Sequence, residues 1–259
     1  MRPAPGRDVK TPASARIWDY LNHGKDNYMV DRYAADRMLS IAPDTHTLAG
    51  WCREFLNRSI HFVTDAGIGQ IIDVGAGFPT EPYVHALART INPHVTVSYI
   101  DYDPIVHAHC DALLATGPGL TALKDDIRNP HEVMDRLAVA SLIDFNRPIA
   151  VLMTGVLDYV TDDEKPAEIM STLRERMAPG SYLVMTHACT DSNDELRLQM
   201  IADTEGSPAE PNFRTRDQIE TLIKGFAPIA PGLVTVQDAL GSDLPPTSLV
   251  VLSAVCELD

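Results

Sequence analysis

The stretch QIIDVGAGFPT, residues 70–80, decides the fold. Ile71, Ile72 and Val74 form a short apolar run, and Gly75-Ala76-Gly77 stops it. A run of this kind bounded by turn residues reads as a strand buried on both faces. Glycine suits the turn because it accepts left-handed backbone angles and leaves a ligand free to approach the main chain. A helix that follows presents free N–H groups and a positive dipole end. Thr80 with Pro82 reads as its start. Asp101 lies 26 residues beyond Gly75, at the end of the next apolar run, where a carboxylate can accept both hydroxyls of a ribose. By itself a G-x-G is weak evidence, and a ligand-free turn is the bland alternative.

Working outward, further runs at 95–101 (VTVSYID), 148–154 (PIAVLMT) and 181–187 (SYLVMTH) read as buried strands, with a weaker one at 120–125 (LTALKD). Helix starts fall between them. Asn129-Pro130 puts an N-cap before proline, and Thr161 with Glu164 and Thr215 with Gln218 match capping boxes. Ile219, Leu222, Ile223 and Phe226 continue one face after Thr215. Strands alternating with helices imply a parallel sheet covered on both sides. The end differs: 232–237 (GLVTVQ) and 248–257 (SLVVLSAVCE) read as two antiparallel strands with no room for a helix between them. The fold class is therefore α/β, a Rossmann-like, seven-stranded, mostly parallel sheet with an antiparallel last strand.

Before the glycine turn the chain reads as helical. The expected division is a disordered tail at 1–13, a helical cap at 14–63 and a catalytic domain at 64–259, with a possible insertion at 190–214 holding a short helix at 195–202. That insertion shapes acceptor specificity or is a surface piece with no binding role. Within the cap, HGKDN (23–27) reads as a turn between two helices.

The net charge of −15 disfavours nucleic acid and anionic membranes as partners. Four scattered cysteines without a C-x-x-C pair argue against structural zinc and for reduced thiols, and no metal is expected. The N-terminal residues have no secretory h-region and no stretch approaches a membrane span, so a cytoplasmic location is expected. Oligomeric state is not legible.

Beyond the glycine loop, SARIWDYLNHGKDNYMVDR (14–32), IIDVGAGFPT (71–80), YIDYDPIV (99–106) and DDIRNP (125–130) together resemble a bacterial S-adenosyl methyltransferase family long catalogued as a domain of unknown function. The resemblance covers about Ser14 to Glu257 and implies a class I methyltransferase fold with S-adenosyl-L-methionine as cofactor. It implies Gly75 and Gly77 under the cofactor, Asp101 on its ribose, and Asp126 with the Ile127 backbone at the adenine. Asp73, just before the turn, fits the acidic residue that commonly holds the amino-acid end. The family often carries histidine where this chain has Asp158, in Val156-Leu157-Asp158, so no histidine role transfers there.

Ligands of open α/β sheets bind beyond the carboxyl ends of the strands. Thr154, assigned to the cofactor, and Asp158 follow the fourth strand, while His187 and Cys189 follow the fifth. Asp158 is a candidate for orienting an amine or deprotonating a hydroxyl, and equally a capping or loop carboxylate. His187 is a candidate base, or a histidine packed at a strand end. The 23–27 turn, with Tyr20, Lys25, Asn27 and Tyr28 around it, is expected to fold over the cofactor as a lid, Lys25 or Asn27 meeting the methionine carboxylate; otherwise it only connects helices. The acceptor is expected to be a small molecule. Two alternatives stay open: a non-catalytic protein that binds S-adenosylmethionine or S-adenosylhomocysteine, and an NAD-dependent oxidoreductase. Pro79-Thr80 in place of a third glycine weakens the latter.

Overall fold

The computed structural model describes residues 9–140, 143–241 and 243–259. Strand β1 (Gln70–Val74) is buried at all five positions and lies between β2 (Thr96–Asp101) and β4 (Ala150–Thr154). β3 (Leu120–Lys124), β5 (Ser181–Ala188), β6 (Ala227–Pro228), β7 (Val234–Thr235) and β8 (Val251–Leu258) complete an eight-stranded sheet. Its order is β3-β2-β1-β4-β5-β8-β6, with β7 also on β8. The first five strands run parallel, and β8 is antiparallel to β5 over eight residue pairs, Ser181↔Leu258 to Ala188↔Val251.

The expected seven strands become eight because the outermost position is split. β6 pairs Cys256 and Glu257, whereas β7 pairs Leu252 and Ser253. β6 includes Pro228, which lacks an N–H and is tolerated at an edge. The run at 232–237 is strand only at Val234–Thr235; Thr235 then caps α10 (Val236–Leu240), its hydroxyl accepting from the Asp238 N–H. A helix therefore does stand between the last two strands, contrary to the sequence reading: the N-cap overrides the alternating pattern.

Strand periodicity sends Ile71, Val97, Leu152 and Val184 to one layer and Ile72, Ile100, Met153 and Met185 to the other. The first layer holds α3 (Thr45–Asp65), α4 (Val84–Ile91), α5 (Pro104–Leu113) and α10; the second holds α6 (Pro130–Ala140), α7 (Pro166–Arg176) and α9 (Arg216–Leu222). Each fully buried Ile, Leu or Val contributes roughly 1.5–3 kcal/mol. Two helix starts move from their expected places. α4 begins at Val84, because Arg53 Nη2 donates to the carbonyls of Thr80 and Pro82 and holds them outside the helix. The Thr161 capping box closes a one-turn 3-10 helix, Asp162–Glu164, and α7 starts at Pro166.

The cap is α1 (Ser14–Leu21) and α2 (Met29–Ile41), with α8 (Asp194–Thr204) packed on α2. Asp31 organises it. This fully buried carboxylate pairs with Arg16 Nε at 2.9 Å and accepts the N–H groups of Ala13 and Tyr28. Of the expected tail, residues 1–8 lie outside the described residues, and Ala13 is buried against the cap. α3 packs against β4 and β5 as well as α1 and α2, so it belongs to the sheet's own layer.

Candidate active site

A cavity of about 240 Å³ opens at the carboxyl ends of β1 to β5. Five strands side by side span four spacings of about 4.8 Å, so this edge is ~19 Å long. At its centre Gly75 (φ +64°) and Gly77 (φ +65°) take left-handed angles and leave their backbone bare. A Cβ on Gly75 would lie 2.7 Å from Val156 Cγ2, so the turn there has no room for a side chain.

Over β1 and β2 the floor is acidic. Asp101 Oδ2 accepts the Gly77 N–H at 3.1 Å and Oδ1 that of Asp103 at 2.9 Å. Each oxygen has a second lone pair to offer. Burial pushes Asp101 up to about 7 despite the backbone donors at Asp103, Gly77 and Tyr102. Burial likewise raises Asp73 to about 7, opposed by the Arg53 guanidinium. At β3, Asp126, Ile127 and Tyr102 line the cavity, and Arg128 clamps the Asp126 carboxylate at 2.9 and 2.6 Å while its guanidinium lies over the Tyr102 ring. At β4 and β5 the lining residues are Thr154, Asp158, Thr186 and Ala188.

Two helical stripes roof the site. Ala15, Trp18, Asp19 and Asn22 of α1 and its C-cap line the cavity at i, i+3, i+4 and i+7, and Ala49, Cys52, Arg53 and Leu56 of α3 repeat that spacing. The sequence reading assigned none of these eight to the site, although the spacing was there to be found. Arg53 is the most informative of them. Its Nε is buried without a hydrogen-bond partner, and burial pulls its guanidinium pKa down.

The structure thus brings together Asp73, Gly75, Gly77, Asp101, Asp126, Ile127, Thr154 and Asp158 at one cavity. It leaves out Tyr20, Lys25, Asn27 and His187. Lys25 is exposed, and the Tyr20 hydroxyl donates to Asp36 at the surface. Asn27 Nδ2 donates to Asp19 Oδ2 at 2.7 Å, beside the Asp26 N–H at 2.8 Å. The turn therefore wraps the Asp19 carboxylate, and Gly24 is required because a Cβ there would collide with it. α1 lines the cavity and the turn does not.

His187 is fully buried on the opposite side of β5 from Thr186 and Ala188, outside the cavity lining, with its Nδ1 3.4 Å from Asp158 Oδ1. What holds it was not read from the sequence. Arg214, from the segment after α8, donates to His187 Nε2 and to the carbonyls of Leu157 and Val160. Asn212 N–H donates to the Asp158 carbonyl at 2.6 Å. The 190–214 segment therefore clamps the turn that carries Asp158.

A ligand with an adenosine, a positive centre and an amino-acid end fits this donor set. Carboxylates at Asp19, Asp73 and Asp101 favour cationic charge, and the buried Arg53 Nε favours a carboxylate. Among the described residues no group of His, Cys, Asp and Glu is arranged to hold a metal ion, and no helix is long and apolar enough to cross a membrane.

Comparison with known proteins agrees. Among curated proteins there is no match. A family model described as S-adenosyl methyltransferase matches residues 3–251. A solved candidate methyltransferase from Thermobifida fusca is 32% identical with a TM-score of 0.87, over 99% of this chain and 98% of that one. A DUF574 family protein from Streptomyces avermitilis is 28% identical with a TM-score of 0.88, over 97% and 99%. The N-methyltransferase NodS of Bradyrhizobium japonicum, in complex with S-adenosyl-L-homocysteine, shares the fold alone, at 13% identity and a TM-score of 0.52 over 94% and 98%. With the match running through nearly its whole length, this chain belongs to the S-adenosyl methyltransferase family, and S-adenosylmethionine is its cofactor.

Proposed function

We propose that the chain methylates a small molecule, and that the cavity divides into a cofactor end over β1–β3 and an acceptor end over β4 and β5. The observation that carries this reading is the roof: α1 and α3 narrow the cavity above the strand ends, and beyond Thr154 it is walled by Trp18, Tyr159, Met200 and Pro211. A macromolecular acceptor needs an open face, and a net charge of −15 repels a nucleic acid.

In this reading Asp101 accepts from the ribose hydroxyls, Asp126 and the Ile127 backbone meet the adenine, and Tyr102 lies beside it. Asp73 holds the ammonium of the amino-acid end and Arg53 its carboxylate. Thr154 stands where the two ends meet. The functional lid is α1 with α2, and α3 counts with the catalytic domain.

Bound S-adenosylmethionine supplies a methyl group already activated on a positive sulfur. The protein's task is then alignment and exclusion of water. Gly75 and Gly77 give close backbone contact, α1 closes the roof, and Asp158 is held rigidly beside the acceptor. The test is calorimetry with S-adenosylmethionine and S-adenosylhomocysteine, followed by transfer of labelled methyl to small-molecule pools. Binding of both ligands and label in a small product is expected; label found only in protein or nucleic acid would overturn the acceptor class.

A further inference from the structure

One carboxylate oxygen on the cavity wall has no partner. Asp158 is 5% exposed; its Oδ1 accepts the Ala188 N–H at 2.5 Å, and its buried Oδ2 accepts from nothing among the described residues. Leaving a buried carboxylate oxygen without a donor is costly, so such a group calls for a ligand that supplies one. The side chain is not free to turn elsewhere. Its backbone carbonyl is held by Asn212, the carbonyls on either side of its turn by Arg214, and Oδ1 by β5.

The surroundings narrow the donor. Trp18, Cys52, Met200 and Pro211 make this end apolar, with the Tyr159 hydroxyl accepting from Trp18 Nε1 at 2.9 Å and the Cys52 thiol pushed by burial to about 12. The two guanidiniums of the cavity are engaged elsewhere, Arg53 on the carbonyls of Thr80 and Pro82, and Arg128 on Asp126 and Glu164. No side chain of the cavity wall donates to Asp158 Oδ2; behind the wall, His187 Nδ1 lies 3.4 Å from Oδ1. An alcohol could donate to Oδ2 but would leave the charge buried. An acidic acceptor would be repelled by Asp158, Asp73 and Asp19. A protonated amine supplies the hydrogen bond and the charge together, and an indole face such as Trp18 attracts an ammonium.

Resting on the cofactor assignment above, we propose that the acceptor is an amine on an apolar or aromatic body, its N–H received by Asp158 Oδ2. An ammonium gives one proton to Asp158 or to water, which exposes the nitrogen lone pair. That pair forms the N–C bond as the C–S bond of the donor breaks, and the C–S electrons stay on sulfur, leaving a neutral thioether. The nitrogen takes up the positive charge that sulfur loses.

The test is calorimetric binding to the full chain saturated with S-adenosylhomocysteine. The probes are benzylamine, phenethylamine and tryptamine, each against its matched alcohol and carboxylate. At least one amine is expected to bind tenfold or more tightly than its matched pair. D158N, whose amide oxygen can still accept from Ala188, should lose that preference and keep its S-adenosylhomocysteine affinity within twofold. The proposal is overturned if alcohols or carboxylates bind as well as amines, if D158N keeps the preference, or if no amine binds. Should D158N not fold, the ranking on the native chain decides alone. Absence of S-adenosylhomocysteine binding to the native chain is a separate result that overturns the cofactor assignment, and this proposal with it.

Discussion

Arg214 donates from Nη1 to His187 Nε2 at 2.8 Å, across 27 positions of sequence and on the side of β5 away from the cavity. An arginine has only donors, so Nε2 must accept, and the ring proton sits on Nδ1, 2.9 Å from the Ala188 carbonyl. His187 is therefore a strut between Arg214 and the strand that fixes Asp158.

His187→Gln keeps an acceptor for Arg214. It should lower stability by about 1–2 kcal/mol and slow single-turnover methyl transfer by less than tenfold. A lost general base would cost ~10²–10⁴-fold instead, so a rate loss of that size would return His187 to the chemistry.

Arg53→Met should weaken S-adenosylhomocysteine binding by roughly 10–100-fold, the loss of a charged hydrogen-bond partner. Binding of 5′-methylthioadenosine, which has no carboxylate, should change by less than threefold. Calorimetry with both ligands checks this; equal losses would mean that Arg53 acts only by holding the carbonyls of Thr80 and Pro82.

Gly75→Ala and Gly77→Ala separate steric crowding from backbone strain. Both residues have positive φ, which costs an alanine about 1–2 kcal/mol. Only at Gly75 does the new Cβ meet a neighbour, Val156 Cγ2 at 2.7 Å; at Gly77 the space is open. Gly75→Ala should be the more destabilising by about 1–3 kcal/mol, and Val156→Ala should recover part of the difference. Denaturant midpoints of the two single variants and the double variant measure this.

Cofactor affinity should rise with pH. Burial holds Asp73 and Asp101 near 7, well above their unfolded value of 3.8. A carboxyl with a raised folded value favours the folded state while protonated, and that advantage fades as pH climbs from about 4 through 7. A cationic ligand favours the ionised carboxylates, so S-adenosylmethionine should bind more tightly at pH 7.5 than at pH 6, by up to tenfold per unit for each linked proton. Calorimetry in buffers of different ionisation enthalpy should show proton release near pH 6.5. Affinity that is flat across this range would mean that neither carboxylate meets positive charge.

The sequence was most legible where the pattern is local. Asp73, Gly75, Gly77, Asp101, Asp126 and Ile127 follow from strand ends, a turn that needs glycine, and motif resemblance, and all six line the cavity. Tyr20, Lys25 and Asn27 lie outside the cavity lining: a dense polar turn looks the same in sequence whether it meets a ligand or its own chain, and here it wraps Asp19. Trp18 and Arg53 were missed because a helical stripe does not announce which cavity it faces.

By itself, the order of apolar runs, glycine turns and capping residues determined a doubly covered, mostly parallel sheet whose carboxyl edge carries Gly75 and Asp101, because backbone preference and side-chain periodicity act over a few residues. Only the tertiary structure decided that Asp158 faces the cavity while His187, one strand away, faces Arg214. Which side of a strand end looks outward depends on segments 30 to 141 positions distant, as in the bonds from Ala188 to Asp158 and from Trp18 to Tyr159. Such contacts form only when the packed layers bring those segments together.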